Sequence, residues 1–253
     1  MKTLCVCPTY GRIPFLNRML SSFLHQDYDD KHLVIVNDDN NIQLCCDYSN
    51  VTCINLNKKI LLPQKRNIAN SVGYQDIILP HDDDDIFLPN KISNHVIKHQ
   101  EHPDIFMYRN SASYVIYGNE FKLESSSPTV TSYTRDSWNN VGGYRHTQNS
   151  GEDWEFFNKM PNKLVERNED EVDYVYNWGN INYHMTFEKD ENVEKIAYDQ
   201  LVRMNLLGKK YWIEPDFEQY NNFLLLDQMW KKNKKTLLVK HLEHGKIDVS
   251  HLI

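Results

Sequence analysis

No apolar run in this 253-residue chain approaches the length needed to cross a bilayer. Its start, where Met1 and Lys2 lead into a short strand-like run ending at Pro8, has neither the apolar core nor the cleavage site of a signal peptide. A soluble, cytoplasmic chain with no integral membrane segment is expected. Cysteine is sparse: Cys5, Cys7, Cys45, Cys46 and Cys53 all fall in the first quarter, their number is odd, and no zinc-like pair of CxxC spacings occurs. A chain this long buries a core without staples, so the thiols are expected to be reduced. Walker, GxGxxG and GxSxG patterns are also missing, which removes the sequence basis for P-loop phosphoryl transfer, dinucleotide redox and α/β-hydrolase chemistry. Basic charge is in deficit. A formal charge of −7 excludes a surface built to grip nucleic acid everywhere, and Lys231, Lys232, Lys234 and Lys235 read first as a solvated helix end.

What is present alternates. Residues 3–7 form a short buried strand, and Phe15, Leu16, Met19, Leu20, Phe23 and Leu24 then recur at helical spacing. Residues 33–36 and 51–54 are further strand-like runs, the first stopped by Asn37, Asp38, Asp39, Asn40 and Asn41. Ile68, Ala69 and Val72 share a face of a helix expected over 64–74, followed by a strand at 77–79. Such alternation predicts an α/β fold, with a mainly parallel sheet covered on both faces and ligands outside the carboxyl ends of its strands. Residues 105–108, 113–117 and 120–123, with a Gly118-Asn119 turn, predict a hairpin added to that sheet. Short helices are expected at 135–141 and 152–160, and the pattern becomes helical after 191. The expected organisation is a catalytic domain over 1–188, its nucleotide half at about 1–110 and its acceptor half at about 111–188, with a helical extension over 189–253.

The acidic run Asp82, Asp83, Asp84, Asp85 lies between two apolar stretches, so its like charges are forced together. A divalent cation is the simplest way to hold them ionised, and oxygen donors without cysteine suit Mg2+ or Mn2+. Asp38 and Asp39 end a different strand and would converge on the same crevice, though alone they read as turn residues. Lys65 and Arg66 open the helix expected there, either facing phosphate or simply solvated. Glu152 and Asp153 start another helix, where acids serve either the helix dipole or as a general base toward a hydroxyl.

In order along the chain, Cys7-Pro8-Thr9-Tyr10-Gly11-Arg12, Val36-Asn37-Asp38-Asp39, Lys65-Arg66-Asn67, His81-Asp82-Asp83-Asp84-Asp85 with Leu88-Pro89, Val141-Gly142-Gly143-Tyr144 and Gly151-Glu152-Asp153-Trp154 resemble glycosyltransferase family 2, the inverting enzymes of GT-A fold. The resemblance spans residues 3–160, with Gly11 standing where the family often has asparagine. It implies a Rossmann-like GT-A domain in which Pro8, Thr9, Tyr10, Arg12 and Asp39 line the nucleotide pocket, Asp38 supports them and Arg66 approaches the donor. Asp82 and Asp84 would be the ends of a DxD motif, Asp84 on the metal and Asp82 on ribose or the ion, with Asp83 and Asp85 as alternatives in register. Asp153 would be the base, and His184 would complete the metal or diphosphate site.

The expected activity is metal-dependent transfer, with inversion, of a sugar from a nucleotide-diphosphate donor, a UDP-sugar first among them. The acceptor hydroxyl would belong to a glycan, a lipid-linked saccharide or, in a phage-like context, a hydroxymethylated DNA base. Trp178, Tyr211 and Trp212 are candidates to stack on it. A silent nucleotide- or sugar-binding module and a nucleotidyltransferase are the rival readings.

Overall fold

Strand β1 (Thr3–Thr9) is buried along its whole length and is the axis on which the other elements are laid. Helix α1 (Ile13–Leu24) follows, then β2 (Lys31–Asn37), β3 (Val51–Asn55), α2 (Leu62–Ser71), β4 (Ile77–Pro80), β5 (Ile86–Phe87) and α3 (Lys91–Glu101). Next come β6 (Met107–Asn110), β7 (Ala112–Tyr117), β8 (Glu120–Ser125), β9 (Thr131–Thr134), α4 (Arg135–Val141), α5 (Glu152–Lys159), β10 (Lys163–Glu166) and β11 (Tyr174–Asn177). The computed structural model describes residues 1–46, 48–117, 120–125, 130–145 and 151–177. His184, Trp178, Tyr211, Trp212, the lysines at 231–235 and the expected helical extension over 189–253 lie outside the described residues.

The main sheet runs β10-β6-β9-β4-β1-β2-β3. Its β4-β1-β2-β3 half is parallel, and β9 is antiparallel to both β4 and β6. Because β1 is flanked by β2 on one side and β4 on the other, the strand order reverses there, which opens a crevice beyond the carboxyl ends. Alternate residues of β1 feed opposite faces. Cys5 and Cys7 join Leu16, Met19, Leu20 and Phe23 of α1, whereas Leu4 and Val6 join Ile68 and Ala69 of α2 and Phe156 and Phe157 of α5. Each large apolar side chain so covered contributes about 1.5–3 kcal/mol, and this fixes where the strand ends point.

The structure departs from the sequence-based expectations in several places. Helix α2 begins at Leu62 rather than 64, because Pro63 suits a first helical turn, and it stops before Gly73. The β7–β8 hairpin is not added to the main sheet. It pairs with β11 and β5 in a second, four-stranded sheet. Buried Asn110 marks the exit: its Oδ1 accepts from the Ala112 N–H at 3.0 Å, and its amide donates to the carbonyls of Asn168 and Glu171 at 2.8 and 3.1 Å. Helix α3 was not legible at all, since its buried face is Lys91, Ile92, His95, Val96 and His99, only two of them apolar.

That polar face has a consequence for acid stability. His95 and His99 share the Ser132 hydroxyl, at 2.8 and 2.9 Å, and burial pushes His99 down to about 4. A histidine whose folded value is depressed leaves the unfolded chain binding more protons at acid pH, so stability falls as pH drops from about 6.5 toward 4. Between pH 7 and pH 5 His99 alone should cost about 2 kcal/mol, and urea unfolding at the two pH values measures it. His99→Gln should show a smaller loss; an equal loss would assign the acid sensitivity elsewhere.

Candidate active site

Three strand ends and two helix starts meet at the crevice. The turn after β1 needs Gly11, whose φ is +64° and whose N–H donates to Asn37 Oδ1 at 3.0 Å. A Cβ there would lie 2.4 Å from Asp39 Oδ2 and 2.8 Å from Ile42 Cδ1. Asparagine tolerates that φ, but glycine lets Asp39 lie against the turn. Asp39 itself is half-buried and accepts from the Asn41 backbone and side chain at 3.0 and 3.1 Å. Tyr10 is 44% exposed, with Lys59 Nζ 4.3 Å from its ring centre. Pro8 is buried in the strand end.

Asp38 is held inside. Its Oδ1 accepts from Lys65 Nζ at 2.8 Å and its Oδ2 from the Ile60 N–H at 2.9 Å, while Lys65 also donates to the Thr9 carbonyl at 3.0 Å. Lys65 therefore ties β1, β2 and α2 together. The expectation that Lys65 and Arg66 open a helix is corrected, because α2 starts three residues earlier and the Lys65 N–H is already bonded to the Leu61 carbonyl. What they offer the site is side-chain charge.

The four aspartates after β4 alternate. Asp82 and Asp84 face the cleft with side chains 20% and 23% exposed, whereas Asp83 and Asp85 turn inward and are buried. Asp83 accepts from Thr9 Oγ1 at 2.7 Å, from Arg12 Nε at 3.0 Å and from Arg12 NH2. Burial pushes its carboxyl up to about 6, against the opposing pull of Arg12. Asp85 Oδ2 accepts from the Tyr174 hydroxyl at 2.5 Å. His81, fully buried and stacked on Phe87 at 4.1 Å, is kept neutral by desolvation.

Arg66 closes the other wall. It forks onto both Asp82 oxygens at 2.9 and 3.0 Å and reaches Glu152 Oε1 with Nε at 3.2 Å, so α2, the acidic run and α5 share one guanidinium. Glu152 is buried and its carboxyl is raised by desolvation, with Arg66 opposing. Asp153 is half-buried and borders one shallow hollow with Arg66, Met107, Thr131, Tyr144 and Phe156. Trp154 beside it is 50% exposed.

Two residues complete the cleft, Asn67, which lay in a motif without an assigned role, and Tyr176, which sequence reasoning missed. Asn67 clamps the Tyr144 backbone, accepting its N–H at 2.9 Å and donating to its carbonyl at 2.8 Å. Gly143, at φ +71°, makes room, since a Cβ would stand 2.6 Å from Asn67 Oδ1. Burial raises the phenol of Tyr176 on β11, and the carboxylates of Asp85, Asp84, Asp82 and Asp153 raise it further. The sequence signal for Asn67 was its place beside Lys65-Arg66; Tyr176 gave only the alternation of a strand.

Among the described residues no group of three or more His, Cys, Asp or Glu forms a closed metal centre. Asp82 and Asp84 nonetheless fit a hard ion of the kind held by one or two carboxylates, with substrate phosphates and water supplying the rest.

A family model described as glycosyl transferase family 2 matches residues 5–172. Solved structures share the fold. S. aureus TarS residues 1–349 in complex with UDP-GlcNAc aligns with a TM-score of 0.56 at 14% identity, over 95% of this chain and 78% of that one. Another structure of TarS residues 1–349 gives 0.55 at 15%, over 88% and 71%. The mannosyltransferase PcManGT from Pyrobaculum calidifontis, in complex with GDP-Man and Mn2+, gives 0.51 at 12%, over 99% and 78%. No curated protein matches in sequence. No helix among the described residues is long and apolar enough to cross a membrane.

Proposed function

The chain belongs to glycosyltransferase family 2, and from that premise we propose that it is a metal-dependent, inverting enzyme moving a sugar from a nucleoside-diphosphate donor to an acceptor hydroxyl. The observation that carries this reading is the Arg66 bridge: one buried guanidinium joins Asp82, at the mouth of the acidic run, to the helix start that bears Asp153. The UDP and UDP-GlcNAc complexes of TarS support a uridine donor, and the Mn2+ complex of PcManGT supports a divalent ion.

In this reading Tyr10 and Asp39 meet the base, with Pro8 and Thr9 forming the floor and Asp38 bracing it. Asp84 and Asp82 are the metal ligands, in the register that turns Asp83 and Asp85 inward. A bound Mn2+ or Mg2+ would supply positive charge to offset the departing diphosphate. Asp153 takes the acceptor proton as the hydroxyl oxygen attacks the anomeric carbon and the bond to the diphosphate oxygen breaks, in one displacement with inversion. Glu152 serves Arg66 and not the acceptor. Trp154, exposed beside Asp153, offers a flat apolar face to a sugar ring, and with a net charge of −7 this favours a saccharide over a DNA acceptor.

Thermal unfolding against UDP-, GDP-, CDP- and dTDP-sugars, each with manganese or with chelator, tests the donor site. A donor at about a hundred times its dissociation constant should stabilise by about 2.7 kcal/mol, a shift of several degrees, and only with metal. No shift with any donor would overturn the reading.

A further inference from the structure

Two arginines pair with the side chains of the acidic run, one fixed and the other half free, while Arg18 holds only the Asp84 backbone carbonyl, at 2.7 Å. Arg66 is 3% exposed and enclosed between Asp82 and Glu152. Arg12 is 29% exposed. Its inner edge, Nε and NH2, is forked onto Asp83, whose side chain is 1% exposed and also receives the Thr9 hydroxyl. Its outer NH1 reaches Asp84 Oδ2 alone, at 3.1 Å, and Asp84 is 23% exposed. The inner contact is dry and bidentate, whereas the outer one is a single bond that water can reach. Opening the outer contact costs little and leaves the guanidinium anchored.

We propose that Arg12 is the resident counter-cation of Asp84, anchored by Asp83 as a positioning residue, and that NH1 surrenders the Asp84 carboxylate to a divalent ion when ion and donor diphosphate arrive together. This rests on the donor reading above. The run is thereby divided by role: Asp84 is the carboxylate surrendered to the ion, Asp82 stands beside it on Arg66, and Asp83 behind them holds the cation that guards Asp84. An ion arriving alone competes with Arg12 and binds weakly. An ion arriving with a diphosphate binds tightly, since the phosphate oxygens give NH1 a new acceptor in exchange for the one lost. Because binding free energies are linked, the diphosphate gains from the ion by the same factor.

The test is manganese affinity, measured by paramagnetic resonance of free Mn2+, for the wild type, Arg12→Met and Arg12→Gln, with and without the nucleoside diphosphate that stabilises the wild type. Without nucleotide, both variants should bind manganese about fivefold more tightly, the size expected from removing one water-accessible ion pair. The factor by which nucleotide strengthens manganese binding should shrink in both. A merely structural role for Arg12 predicts the opposite sign, because a loosened cleft binds metal less well. Unchanged or weaker manganese affinity in the folded variants would overturn the proposal, as would loss of the fold in both. Were the wild type to bind neither manganese nor any nucleoside diphosphate, the donor reading itself would fall. Wild-type binding of both, without tightening in the variants, removes the counter-cation role alone.

Discussion

Asp153→Asn is expected to lower kcat for sugar transfer by about 10²- to 10⁴-fold, the range that a positioned general base contributes, while leaving the metal-dependent thermal shift with donor in place. Asparagine keeps the size and the capping geometry of the side chain, whose Oδ1 accepts from the Trp154 N–H at 2.8 Å, but it cannot take a proton. The site makes this a selective lesion. Asp153 is half-buried beside Arg66 and Tyr144, whereas its neighbour Glu152 is buried and committed to Arg66. Glu152→Gln should therefore cost less than tenfold in kcat at equal folded concentration. Steady-state rates with saturating donor, read beside donor KM, separate the two: loss of kcat at constant KM marks an interaction made only in the transition state. Transfer at the wild-type rate by Asp153→Asn would sink the assignment of the base.

Much of the fold was legible because the parallel half of the sheet is written in apolar runs. Residues 3–7, 33–36 and 77–79 sit within strands buried on both faces that need no polar alternation, and 51–54 lies in the half-buried edge strand β3. The second sheet was not legible. Whether the hairpin at 112–125 joins β6 or β11 depends on the Asn110 side chain bonding to Asn168 and Glu171, contacts 58 and 61 residues apart that no local pattern encodes. For the cleft, the acidic run and the Glu152-Asp153 pair were visible as types. Their directions were not: a run of four aspartates looks the same from either face, and only Thr9, Arg12, Arg66 and Tyr174 decide which carboxylates turn inward. Lys65 illustrates the limit. A lysine near a helix start reads as solvated, yet this one is buried between Asp38 and the Thr9 carbonyl because β1 and β2 end at the same level.

Arg66→Met should cost about 3–5 kcal/mol of stability, the penalty for removing one partner of a buried charge cluster. Methionine fills much of the volume, but Glu152 would be left buried with no guanidinium, and Asp82 would lose both of its bonds to Arg66. The deficit should depend on pH with a definite sign. Desolvation already raises the Glu152 carboxyl, with Arg66 pulling it down, so the variant raises it further. The folded variant then binds a proton that the unfolded chain does not, and it loses stability as pH rises through the folded value. Wild type minus variant should therefore be largest near pH 8 and shrink toward pH 5. Adding Glu152→Gln to Arg66→Met should recover part of the loss and flatten this pH dependence, because a neutral amide no longer needs the missing charge. Urea unfolding of the four proteins of that cycle at both pH values is the measurement. A single-variant loss below about 1 kcal/mol would mean that the bridge between the acidic run and α5 is a loose contact.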